Sequence, residues 1–209
     1  MTLKHLAFSL CLLLASTCSL AGFDEANAAF VAGDYAKAQA ELKPLLDKND
    51  PRAQYAMGVL NENGFGVTKD LPQAAAWYLK AAEQGNSDAQ YNLGAMNEHG
   101  VGMPVNYVEA ARWYLPAAEI GDIDALSNLG VLYQNGQGVK QDKVLAMALY
   151  NASVAYAGNS QTQAAQNRQA LANQMPMDDV KKALTLTEEL LKPGNLKPGL
   201  TNYLKQTAH

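Results

Sequence analysis

The sequence predicts an all-α fold, a right-handed superhelical α/α solenoid of antiparallel helix pairs. Three observations predict it. The chain repeats itself every thirty-six residues: AQYAMGVLNENGFGV begins at Ala53, AQYNLGAMNEHGVGM at Ala89 and ALSNLGVLYQNGQGV at Ala125. A fixed period of this length is the mark of stacked helical or solenoid units. Alanine is abundant and β-branched residues are sparse, which is helical composition. Glycines recur in phase, Gly58 with Gly94 and Gly130, then Gly64, Gly100 and Gly136, then Gly66, Gly102 and Gly138.

Taken from the start, residues 1–21 read as a secretory leader. Lys4 supplies a positive head, Leu6 to Leu14 an apolar run too short to span a bilayer, and Ser19-Leu20-Ala21 a small-residue cleavage site before Gly22. A membrane anchor is the alternative for that run. Both cysteines, Cys11 and Cys18, lie inside the leader, so a chain cut before Gly22 holds no disulfide, thiol nucleophile or thiolate metal site. Lipidation of Cys18 is a further alternative, although Thr17 precedes it in place of Gly, Ala or Ser. Residues 22–50 read as a partial repeat, with a short helix, a Gly33-Asp34 turn and a second helix.

Three full repeats follow, at 51–86, 87–122 and 123–158. In each, a first helix runs from about Pro51, or its later copies, to a glycine pair, the signal for a left-handed helix stop. The second helix begins after Asp70, Asn106 or Asp142, whose side chains can cap free amides. Asn106 with Glu109 has the spacing of a capping box. Pro72 falls in a first turn, where its missing N–H costs little. Pro44 and Pro116 fall inside second helices at an in-phase spacing, as accommodated bends. A glycine inside a helix costs about 1 kcal/mol relative to Ala, so Gly58, Gly94 and Gly130 require a close neighbour. The large residues of the second helices, Trp77 and Trp113, are the expected fillers of that crossing. Beyond the repeats, 159–192 reads as capping helices with a Gln- and Asn-rich solvated start. The two Pro-Gly pairs of 193–209 predict a flexible tail.

These residues resemble the Sel-one-like repeat family, relatives of the tetratricopeptide repeat with a longer interhelical loop. The motifs that carry the resemblance are Ala-x-x-x-Leu-Gly, Gly-x-Gly-Val, the Asp cap and Ala-x-x-Trp-Tyr-x-x-Ala-Ala-x-x-Gly. They run from Pro51 to Gly158. Asn61 and Asn97 depart from the tyrosine the family usually carries there, which Tyr133 keeps. The resemblance implies an adaptor scaffold that holds a protein or peptide in a concave groove, in an exported, periplasmic or secreted protein of the bacterial envelope.

In such an array the first helices line the concave face. With Leu93, Gly94 and Asn97 packed inward, the groove is expected to be built from Asp88, Tyr91, Glu98 and His99 of the middle repeat. Their counterparts are Arg52, Tyr55, Glu62 and Asn63 in the first repeat and Asp124, Gln134 and Asn135 in the third, with Ser127 in the position of the tyrosines. Tyrosine gives large contact area at low entropic cost. The acidic members point to a basic or polar peptide.

Sixteen Lys and Arg stand against 20 Asp and Glu, a net charge of −4, and no basic stripe exists to neutralise phosphates, so nucleic acid is not an expected partner. Two rival readings are catalysis, in the form of the β-lactam hydrolysis that the resemblance implies for some relatives, and cell-wall binding without catalysis. The first can be weighed on the residues. The serine chemistry of β-lactam hydrolysis needs Ser-x-x-Lys, and Ser87, Ser127, Ser153 and Ser160 lack that lysine. His99 stands alone at a helix end. The sequence therefore predicts no enzyme, no cofactor, no metal and a monomer.

Overall fold

The computed structural model describes residues 22–158 and 162–207. The leader of 1–21, Cys11, Cys18, Ser160 and His209 lie outside the described residues. The chain divides into two compact units, one ending at Asn86 and the other starting at Ser87.

Among its described residues, the first unit holds α1 (22–31), α2 (Tyr35–Leu46), α3 (Pro51–Asn63) and α4 (Leu71–Glu83). Each of α2, α3 and α4 starts at an aspartate cap, Asp70 among them as predicted. Asp34, Asp50 and Asp70 accept from the amides of Lys37, Arg52 and Gln73, which satisfies donors that the helix leaves free. Pro51 and Pro72 lie in first turns, and α3 stops at Gly64 in the left-handed conformation. Helix α2 runs through Pro44 without ending. Its core joins Ala26, Leu42, Leu45, Ala53 and Leu60.

The second unit holds α5 (Ser87–His99), α6 (Tyr107–Glu119), α7 (Ile123–Asn135), α8 (Lys143–Ala157), α9 (Gln163–Ala172), α10 (Met177–Leu190) and α11 (Leu196–Thr207). Helices α5 and α6 pair, α7 and α8 pair, and α8 is then covered by α9 and α10. That central position explains why most of α8, from Leu145 through Ser153, is buried. Asn106 caps α6 by accepting from the Glu109 amide, but the return half of a capping box is not made. The Asn106 N–H goes to the Asn97 carbonyl, and Glu109 pairs with Arg112. The turn glycines permit close approach as well as positive φ. A Cβ on Gly138 would lie 2.2 Å from the Tyr107 carbonyl carbon.

Two expectations are corrected. The residues over the helix glycines are tyrosines, not tryptophans. A Cβ on Gly58, Gly94 or Gly130 would fall 2.4, 2.4 or 2.7 Å from a ring carbon of Tyr78, Tyr114 or Tyr150. All three rings are fully buried. Trp77 and Trp113, one position earlier and therefore about 100° round the helix, are half-buried. There they meet cations, Lys80 at 4.4 Å and Arg112 at 5.4 Å from the ring centroid.

The second correction concerns 193–209, which is no loose tail over its described part. Gly194 turns the chain at φ 71°, and Pro198 sits in the first turn of α11, where it removes no helical hydrogen bond. Gly199 packs against Leu190, Leu196 and Leu200 join the core of the second unit, Tyr203 donates to Asp142 at 3.0 Å, and Lys197 pairs with Glu119 at 2.9 Å.

Urea denaturation distinguishes these contacts. Tyr114→Ala should cost about 3–5 kcal/mol through the cavity it leaves, and Trp113→Ala clearly less. Equal costs would restore the tryptophan to the crossing. Leu200→Ala should cost about 2–5 kcal/mol, whereas a loose tail would leave the midpoint unchanged.

Candidate functional site

The first helix of each repeat has one side committed to the glycine–tyrosine crossing, and the hydroxyl of that tyrosine needs a partner where the ring is sealed from water. The partner stands four residues after the glycine, one turn along the same face. Tyr78 donates to Glu62 at 2.6 Å, Tyr114 to Glu98 at 2.7 Å and Tyr150 to Gln134 at 2.8 Å. Tyr114 also accepts from Asn128 at 3.2 Å, which ties α6 to α7. Burial, reinforced by Glu98, pushes the Tyr114 hydroxyl far above the usual phenol range, and burial does the same at Tyr150. Both stay protonated and donate, so Glu98 and Gln134 accept.

Three of the predicted groove residues, Glu62, Glu98 and Gln134, thus hold buried tyrosines as well as reaching solvent. Asn63 donates to the Val59 carbonyl at 2.9 Å and Asn135 to the Gln137 side chain at 3.1 Å. Arg52 forms a two-pronged pair with its own helix cap, Nε to Asp50 at 3.1 Å and a terminal nitrogen at 2.7 Å, and lies 4.9 Å over the Phe23 ring. Its hydrogen bonds hold the Asp50 carboxyl below the usual range against the opposing effect of burial.

Tyr55 and Tyr91 are half-buried, leaning on Tyr78 and Tyr114 with ring centroids 5.7 and 5.9 Å apart. Asp88, His99 and Asp124 are exposed. In the second unit burial, together with Asp124, Asp122 and Glu98, raises the Tyr91 hydroxyl above its usual value. The face of α5 and α7 therefore gathers carboxylates around an accessible aromatic ring. Ser127, expected in the groove, is buried instead. Ser153 is buried too, and its hydroxyl donates to the Ile123 carbonyl at 2.8 Å.

Sequence reasoning missed the tyrosine–acceptor pairs. The signal was present: Trp77 and Trp113 give way to Leu149 in the third repeat, whereas Tyr78, Tyr114 and Tyr150 are kept in all three. The residue retained at every repeat is the one the crossing needs.

This helix-pair geometry, a Gly–Tyr crossing followed by a Gly-x-Gly loop and an Asp or Asn cap, defines a class of helical-repeat protein. The Sel1 repeat model matches at residues 51–86, 87–122 and 123–154. The chain is similar to the crystal structure of a Sel1 repeat protein from Oxalobacter formigenes, with 28% identity and a TM-score of 0.61, covering 85% of this chain and 77% of that one. A protective antigen of uropathogenic Escherichia coli strains, displaying an SLR fold, superposes with a TM-score of 0.51 at 23% identity, covering 90% of this chain but 48% of its own length. No curated protein matches. The chain belongs to the Sel1 repeat family, and its fold is the all-α helical-repeat solenoid of those proteins. Sel1 repeat proteins are generally non-enzymatic scaffolds for protein interaction. Among the described residues no helix is long and apolar enough to cross a membrane.

Glu98→Ala, which takes the acceptor from a buried hydroxyl, should cost about 1–3 kcal/mol, and Glu98→Gln should recover most of it. Asp88→Ala and Asp124→Ala should stay within about 0.5 kcal/mol of the parent. Urea midpoints check the series. A harmless Glu98→Ala would mean that Glu98 is an ordinary solvated carboxylate.

Proposed function

We propose that this protein is an exported adaptor that holds a protein or peptide against the open faces of its first helices, and that the partner segment is basic. The leader pattern of 1–21 supports export to the periplasm or beyond. The observation that carries the binding role is the α5–α7 face, where half-buried Tyr91 stands among Glu98, Asp122 and Asp124, with Asp88 exposed on the same helix as Tyr91. An accessible, partly immobilised tyrosine makes contact at small entropic cost, and surrounding carboxylates favour a cationic guest and speed its encounter. His99 and Asn135, at the ends of α5 and α7, lie at the edge of that face. In the first unit, Arg52, Tyr55, Glu62 and Asn63 supply the corresponding surface of α3.

The test is capture of exported proteins by the purified protein, with partners identified by mass spectrometry, beside a Tyr91→Ala/Asp88→Asn/Asp124→Asn variant. These three positions avoid the acceptors of the buried tyrosines. Tyr91→Ala gives up the ring's contact with Tyr114, so melting should fall by some degrees with the variant still folded. Asp88→Asn/Asp124→Asn alone should move it little. Capture by the triple variant should fall by tenfold or more and weaken with rising salt. Capture that is equal in the variant and indifferent to salt would place binding elsewhere. Recovery of cell-wall fragments in place of proteins would replace the adaptor with a glycan-binding role.

A further inference from the structure

The partial repeat differs from the full ones at the crossing itself. Leu42 stands thirty-six residues before Tyr78. The Asp34 amide bonds to the Ala29 carbonyl as the Asp70 amide bonds to that of Asn61. Ala29 thus corresponds to Asn61 and, three residues back, Ala26 corresponds to Gly58. An Ala–Leu pair replaces Gly–Tyr, and the volume that a ring fills in the full repeats is left open. A cavity of about 230 Å³ lies there, walled by Phe23, Ala26, Phe30, Leu42, Tyr55 and Val59. Phe23, Phe30, Tyr55 and Val59 are only half-buried, so the cavity is reached from solvent.

We propose that this cavity seats one aromatic side chain of the partner peptide, with a lysine or arginine beside it directed to Glu62. This builds on the peptide-holding role proposed above and supplies its anchor. Size favours a ring, since a dry apolar cavity of ~150 Å³ already accepts benzene. The aromatic walls offer the edge-to-face contacts that ring pairs prefer. Charge selects the neighbour. Glu62 lies one turn beyond Val59, gives one oxygen to Tyr78, and pairs with no cation among the described residues. At the other end of α3 the Arg52 charge is neutralised by Asp50. Helix α3 therefore carries a carboxylate without a cationic partner among the described residues, one turn beyond the cavity wall at Val59.

The experiment is a titration of the purified full protein with N-acetyl-phenylalanyl-lysine amide, followed by 1H–15N NMR. Saturable shifts are expected at the amides of Phe23, Ala26, Tyr55 and Val59. N-acetyl-alanyl-lysine amide should bind roughly tenfold or more weakly, because it leaves the apolar walls unfilled. Ala56 also lines the cavity, so Ala56→Leu places a larger side chain in it and should abolish binding while leaving Tm equal or higher. Glu62→Gln keeps an acceptor for Tyr78 and should weaken the lysine-bearing dipeptide but not N-acetyl-phenylalaninamide. Equal binding of the phenylalanine and alanine dipeptides, or unchanged binding by Ala56→Leu, would overturn the proposal. So would shifts confined to α5 and α7, an outcome that leaves the adaptor role standing. Absence of any shift would overturn it too.

Discussion

Everything in the repeats depends on a tyrosine ring packed directly against a helical glycine. A buried aromatic removes about 150–250 Å² from water, and it can enter the crossing only where the opposing helix has no Cβ. The 2.4–2.7 Å that would separate such a Cβ from the rings leaves no room for even an alanine without a shift. Fixing the ring also fixes its hydroxyl, which lands four residues beyond the glycine and demands an acceptor there. Gly58 thus implies Glu62, Gly94 implies Glu98 and Gly130 implies Gln134. A packing constraint has become a chemical pattern on the neighbouring face.

That pattern accounts for a difficulty in separating scaffold from site. Glu62, Glu98 and Gln134 recur in phase in the sequence like a ligand-binding motif, yet each accepts from the buried tyrosine of its own repeat. Asp88, His99 and Asp124 are exposed instead, and Tyr55 and Tyr91 stand between, with one side on the buried tyrosine and the other open. The same crossing, relaxed to Ala26 and Leu42 in the partial repeat, leaves a cavity where the full repeats are filled. Recognition is proposed where the constraint is loosened or where it does not reach.

The period of thirty-six made the helices, their Asp and Asn caps and their glycine stops legible, because each is a local signal repeated in phase. The crossing was misread where residue size was weighed above retention in every repeat: tryptophan is larger, but its position faces outward and meets Lys80 or Arg112. The C-terminal helix was hidden by its Pro-Gly pairs, one of which makes a turn while the other enters a first turn and packs Gly199 on Leu190. Proline and glycine report backbone requirements; what they cannot report is whether Leu196, Leu200 and Tyr203 find a core. The cavity was less legible: Leu42 stands in phase with Tyr78 in the sequence, but that Ala26 answers Gly58 shows only once the partial repeat is aligned by its hydrogen bonds.

A double-mutant cycle on the middle repeat tests the central contact most directly, using the pair that the partial repeat already carries. Gly94→Ala alone should destabilise by about 1–3 kcal/mol, because the ring of Tyr114 is displaced, and Tyr114→Leu alone should also destabilise. In the double variant Ala and Leu can share the crossing as Ala26 and Leu42 do. The account predicts that the combined cost falls short of the sum of the two by about 1 kcal/mol or more in urea denaturation. Strict additivity would contradict it, since the glycine would then be answering to something other than the tyrosine.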